Sequence, residues 1–146
     1  MTLNANSTTA KSAGKLYVVA TPIGNAGDIT TRAIETLAHA DVILCEEHRN
    51  GSRLLKSLGI AKPLLELNEH NEAERIQEVL LMLAQGQSLA LISDCGTPVF
   101  SDPGKKLLQL LYEMNIAVTP LPGASSLMAA LSVCPFDLEE FLFIGF

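Results

Sequence analysis

Short runs of Val, Ile and Leu alternate along this chain with longer stretches in which apolar residues recur every three or four positions. The first pattern suits strands buried on both faces, and the second suits amphipathic helices. Strands are predicted over 16–20, 42–45, 63–67, 89–93, 117–120 and 141–144, and helices over 30–40, 51–58, 71–85, 104–114 and 124–134. In the third helix Ile76, Val79, Leu80 and Leu83 form one stripe for a sheet, while Glu74, Arg75 and Glu78 face outward. The alternation is that of βα units, so the expected fold is α/β, an open and mostly parallel sheet flanked by helices. No repeat or Pro/Gly/Ser linker divides residues 14–146, which read as one domain. Residues 1–13, largely Ser, Thr, Asn and Ala, read as a disordered tail. The last apolar run, 141–144, has no polar tail after it, which predicts a natural protein continuing beyond Phe146. An apolar strand without a partner also invites self-association, so a homodimer is expected.

Composition narrows the setting. Hydrophobic residues make up 48% of the sequence, yet none of their runs reaches the ~20 positions a membrane-spanning helix needs. Neither membrane association nor a secretory signal is expected. Cys45, Cys95 and Cys134 are odd in number and lack CxxC spacing, which points to a reducing cytoplasm without a disulfide framework or zinc site. The net charge of -6 counts against this segment alone gripping a polyanion.

Ligands of open α/β sheets bind beyond the carboxyl ends of the strands, so the loops there carry the chemistry. They read Thr21-Pro22-Ile23-Gly24-Asn25, Glu46-Glu47-His48-Arg49, Asn68-Glu69-His70-Asn71, Asp94-Cys95-Gly96-Thr97-Pro98 and Pro122-Gly123-Ala124-Ser125-Ser126. Each alone is ordinary turn chemistry; their clustering on one edge is less easily dismissed. The richest segment, 93–104, packs two Asp, two Gly and two Pro ahead of a helix. Gly96 and Gly104 would let backbone approach a ligand, and Asp94 or Asp102 could accept from an ammonium or a ribose hydroxyl. Asp102 and Pro103 also suit the cap and first turn of the following helix, so binding is expected at the 93–97 end. Asn71, with Glu74 three residues on, has capping-box spacing. The absence of a Walker loop, GxGxxG, GxSxG and HExxH disfavours nucleoside triphosphates, dinucleotides and the corresponding hydrolases.

Four blocks carry a resemblance: Leu16-Tyr17-Val18-Val19-Ala20-Thr21-Pro22-Ile23-Gly24-Asn25 with Gly27-Asp28-Ile29-Thr30; Glu69-His70-Asn71-Glu72; Ser93-Asp94-Cys95-Gly96-Thr97-Pro98 with Ser101-Asp102-Pro103-Gly104; and Pro122-Gly123-Ala124-Ser125. In these the chain resembles the N-terminal domain of the tetrapyrrole-methylase superfamily, and within it the ribosomal RNA small-subunit (cytidine-2'-O)-methyltransferase family. Gly96-Thr97-Pro98, where porphyrin-type relatives commonly have Gly-Asp-Pro, is similar to the ribosomal branch. The resemblance implies a methyltransferase using S-adenosylmethionine, held in a cleft between this domain and a second one absent from the chain. It implies cofactor contacts from Pro22, Ile23, Ser93, Asp94, Cys95, Gly96, Thr97, Phe100, Ser125 and Ser126. It also implies a ribosomal RNA or small-subunit partner for the full-length protein. There are two departures from the family: Glu47-His48 where Asp-Thr is common, and Cys95 where Ala is usual.

Methyl transfer from a sulfonium is an in-line displacement, so positioning and exclusion of water are the protein's main tasks. A ribose hydroxyl must also give up its proton, for which Asp28, Glu47, His70 and Asp94 are candidates. Arg49 and Arg53 share a helix face and could meet phosphate, and His70 joins them as a candidate substrate residue. The alternatives are a tetrapyrrole C-methyltransferase and a non-catalytic α/β binding domain. The isolated segment is expected to fold but not to catalyse.

Overall fold

A computed structural model describes residues 14–100 and 102–145; the tail expected over 1–13 lies outside the described residues. Five strands, β1 (Lys15–Val19), β2 (Val42–Cys45), β3 (Leu64–Glu66), β4 (Ser88–Ile92) and β5 (Val118–Leu121), alternate with five helices. The helices are α1 (Thr31–His39), α2 (His48–Ser57), α3 (Glu72–Ala84), α4 (Lys105–Glu113) and α5 (Ser126–Ser132). The sheet is parallel throughout and ordered β3-β2-β4-β1-β5. Side chains alternate across it. Leu16, Leu44, Leu89 and Leu91 pack on one face with Ile76, Val79 and Leu83 of α3 and Leu107 and Leu111 of α4. Val19, Ile43, Ala90 and Ile92 pack on the other with Ala33 and Leu37 of α1 and Leu55 of α2. Burial on both faces is why the central strands are unbroken apolar runs.

Several boundaries differ from the sequence expectation for identifiable reasons. Helix α2 starts at His48 rather than 51 because Gly51 works inside it: a Cβ there would stand 2.9 Å from that of Cys45. The bare glycine lets the helix lie on β2. Asn71 does not form the expected capping box. Its side chain accepts from the Asn68 amide at 2.8 Å and donates to the Glu66 carbonyl at 3.2 Å, closing the β3–α3 turn instead. Nor does Asp102 cap α4, whose N-cap is Gly104, so Pro103 lies before the first turn. The cap comes from α3, where the buried Glu72 carboxylate accepts from the amides of Lys106 at 3.1 Å and Leu107 at 3.3 Å. The strand expected over 141–144 does not form, because no ladder partner lies beside it. Helix α5 is shorter than 124–134 and buries no residue. No described helix is long and apolar enough to cross a membrane.

Candidate functional site

The chain leaves β1 toward β2 on one side of the sheet and leaves β4 toward β5 on the other. The loops after β1 and β4 therefore diverge above two neighbouring strands, which opens a crevice at the carboxyl edge. Two antiparallel hydrogen bonds hold its centre: Thr21 N–H donates to the Gly96 carbonyl at 2.8 Å, and Gly96 N–H to the Thr21 carbonyl at 3.1 Å. Gly96 has φ +79°, which disfavours any side chain, and a Cβ there would meet Ile23 Cγ2 at 3.2 Å. The Ser93 hydroxyl, 5% exposed, stands 3.1 Å from the Gly96 carbonyl and 3.2 Å from that of Cys95. It stabilises the turn from within. Thr97 Oγ1 donates to the Ala124 carbonyl at 3.2 Å and so ties this turn to the loop after β5.

On one side of the Thr21–Gly96 bridge lies a cavity of about 530 Å³. Cys95, Gly96, Thr97, Phe100, Ser125 and Ser126, all expected from the sequence, line it together. Gly123 in the same wall approaches β1 so closely that a Cβ would fall 2.9 Å from that of Ala20. Pro122, Leu127, Met128 and Phe143 also line it without having been expected as contacts, and so does Asp102, which the sequence offers as an acceptor but sets aside in favour of the 93–97 end. Asp102 was assigned to capping, a role that Glu72 fills from across the molecule. Phe143 was placed in a strand, whereas its ring stacks at a tilt on Phe100 with centroids 4.6 Å apart. Gly104, expected to face a ligand, instead faces the core, where a Cβ would meet Leu91 Cδ2 at 3.1 Å.

On the other side lies a cavity of about 300 Å³, whose lining includes Pro22, Ser93, Asp94, Asn50 and Arg53. The expected cofactor residues thus divide between two neighbouring spaces, with Ile23 packed near the bridge. Arg49 and Arg53 are both exposed on α2, but only Arg53 lines this cavity. His70 is exposed in the β3–α3 turn and lines neither space. Asp28 is exposed in the short 3-10 turn Ala26–Asp28, and Glu47 accepts from Asn50 Nδ2 at 2.8 Å.

The edge is strongly acidic. Burial, then Asp94, Asp102, Glu69 and Glu47, raise the Glu46 carboxyl above its ordinary range. Asp102 is raised by burial and by Asp94, against an opposing hydrogen bond from Ser93. Burial, with Glu66 and Asp94, pushes the Cys45 thiol up to about 11, so it remains protonated at neutral pH.

Gly-rich turns beyond parallel strands, clasped around paired cavities, define a ligand-binding α/β domain. The family described as Tetrapyrrole (Corrin/Porphyrin) Methylases matches residues 15–144, and the chain belongs to that family of S-adenosylmethionine-dependent methyltransferases. Two similar curated proteins are both named Ribosomal RNA small subunit methyltransferase I. The Leptospira biflexa protein is 47% identical over 91% of this chain and 55% of its own length. The Synechocystis protein is 47% identical over 91% of this chain and 48% of its own. The chain therefore spans about half the length of these relatives. Among solved structures, uroporphyrin-III-C-methyltransferase from Thermus thermophilus aligns with a TM-score of 0.61 and 26% identity, over 83% of this chain and 54% of that one.

Proposed function

We propose that this chain is the cofactor-binding half of a methyltransferase that 2'-O-methylates a cytidine ribose of small-subunit ribosomal RNA. The carrying observation is the larger cavity, which combines a backbone-lined turn, one carboxylate and an apolar wall. S-adenosylmethionine needs the same three features: polar contacts for its amino-acid end, an acceptor for its hydroxyls or ammonium, and a surface for its base. A volume of about 530 Å³ falls in the usual range for small-molecule sites, roughly 300–1,000 Å³. The residues fit the group. When bound, it supplies an electrophilic methyl.

The chain's own residues then bind and orient. Cys95 and Thr97 offer backbone groups on either side of Gly96, whose own amide and carbonyl are held by Thr21, Asp102 accepts from an ammonium or ribose hydroxyl, and Phe100, Met128 and Phe143 exclude water from the apolar side. The smaller cavity beyond the Thr21–Gly96 bridge is open to the substrate, with Asp94 at its wall to accept a proton. The names of the relatives support RNA as that substrate. The reading includes work in the cytoplasm and a homodimer; the exposed Val133, Phe136, Leu142 and Ile144 supply an apolar surface for the second copy.

The test uses the protein at the length of its relatives, incubated with radiolabelled S-adenosylmethionine and unmodified small ribosomal subunits. A labelled 2'-O-methylcytidine after nuclease digestion is expected. Methyl transfer to a tetrapyrrole and none to RNA would replace the ribosomal reading by the porphyrin one. No transfer by a protein that binds no S-adenosylmethionine would leave a binding domain.

A further inference from the structure

The chain is acidic overall, yet its charges are segregated. Residues 48–65 contain no Asp or Glu, while they hold Arg49, Arg53, Lys56 and Lys62, four of the ten Lys and Arg residues. At ~100° per helical residue, Arg49, Arg53 and Lys56 fall within about 60° of one another. They lie opposite the buried Gly51 and Leu55, and all three are exposed. The only ion pair among the described residues joins Arg75 to Glu78, so none of these four cations is neutralised by a carboxylate.

We propose that the outer face of α2, continued by Lys62, is a docking track for the phosphate backbone of single-stranded RNA. This rests on the ribosomal reading above and supplies the positive surface that a net charge of -6 otherwise lacks. The track has a direction. Arg53 lines the smaller cavity beside Asp94. Lys56 and Lys62 line a separate hollow of about 360 Å³ under the far end of the helix. Arg49 to Lys56 spans roughly 10 Å along the axis, enough to meet more than one phosphate. At the mouth of the site Glu46, Asp94 and Asp102 act on one another through like charge. Phosphates are repelled there and attracted along the helix.

The side chains between the cations favour RNA over a membrane. Ser52, exposed between Arg49 and Arg53, adds a hydroxyl that bonds phosphate oxygens. A helix that lies on lipid keeps its apolar face free, whereas that face of α2 is buried against the sheet.

The chain, a short fluorescein-labelled single-stranded RNA and fluorescence anisotropy between about 50 and 200 mM salt test this. The triple variant R53Q/K56Q/K62Q should weaken binding at least about tenfold and lower the slope of log K against log salt by about 2, close to 0.7 per lost contact. The charge-matched variant R32Q/K105Q/K106Q should stay within about twofold of wild type under the same salt. Circular dichroism verifies folding, and calorimetry with S-adenosylmethionine is run on the same samples. If the track variant keeps the wild-type affinity and slope, or the control loses as much, the track is overturned while RNA binding by the wild type still supports the ribosomal reading. If the wild type binds the cofactor but no RNA at low salt, the track is overturned, and the ribosomal reading is decided separately by methyl transfer to small subunits at the length of the relatives.

Discussion

Asn50 Nδ2 donates to Asp94 Oδ2 at 2.6 Å, joining α2 to the turn after β4 across 44 residues of sequence. The same amide donates to Glu47 at 2.8 Å, so one neutral group holds two carboxylates together. Asn50→Asp would set a third acid among them and remove both donors. It should cost about 1–2 kcal/mol. Urea denaturation measures this, and equal stability of variant and parent would contradict it.

The cap that Glu72 provides for α4 is the second point of leverage. Both amides donate to Glu72 Oε1, and removing that acceptor with Glu72→Ala should cost about 1–2 kcal/mol. Glu72→Gln keeps one carbonyl oxygen and should cost clearly less. Identical losses for the two variants, by chemical denaturation, would show that packing rather than capping is at stake.

Gly96→Val tests the cofactor assignment. The backbone there has φ +79° and faces Ile23, so a β-branched residue costs roughly 1–3 kcal/mol of local strain and intrudes on the turn. The variant should fold, with a lowered melting temperature, and should give no heat on titration with S-adenosylmethionine. A wild-type isotherm would remove the 93–97 turn from the site.

Glu46 provides a pH dependence of defined sign. Its carboxyl is raised in the folded state from an ordinary value of 4.5, by burial and then by Asp94, Asp102, Glu69 and Glu47. A raised folded value means that the protonated form is favoured by folding, so stability is full below about pH 4.5 and falls as pH rises through the raised value. Glu46→Gln removes that penalty. Its melting temperature should exceed the parent's at pH 8 and match it near pH 4; a variant less stable at pH 8 would reverse the assignment.

Much of the architecture is readable because each element satisfies its own local rule. The strands at the sheet centre are apolar on both sides, and α3 repeats Ile76, Val79 and Leu83 at helical spacing. What escaped was long-range. Asp102 and Glu72 are both acids near helix starts, and only the fold reveals that Glu72 reaches from α3 to cap α4 and leaves Asp102 free for the cavity. Gly51 looked like a helix boundary because its close approach to Cys45 cannot be inferred from neighbours in sequence. The run 141–144 has strand composition, yet composition does not supply a partner strand. The loops of the site were legible as a set because Gly, Pro and small polar residues recur after β1, β4 and β5, but not their division into two cavities, which depends on the bridge between Thr21 and Gly96.

The position of β1 between β4 and β5 has a consequence for biosynthesis. The first of these five strands to leave the ribosome is a central one, and Thr21 at its end waits for Ser93, 72 residues later, before its hydroxyl finds this acceptor. At roughly 5–20 residues per second that is a delay of about 4–14 s. During it an apolar strand has no sheet to join. Nascent chains stalled before β4 should therefore engage a holdase chaperone, and those extended through β5 should release it, because the sheet closes around its oldest strand only when its newest has arrived.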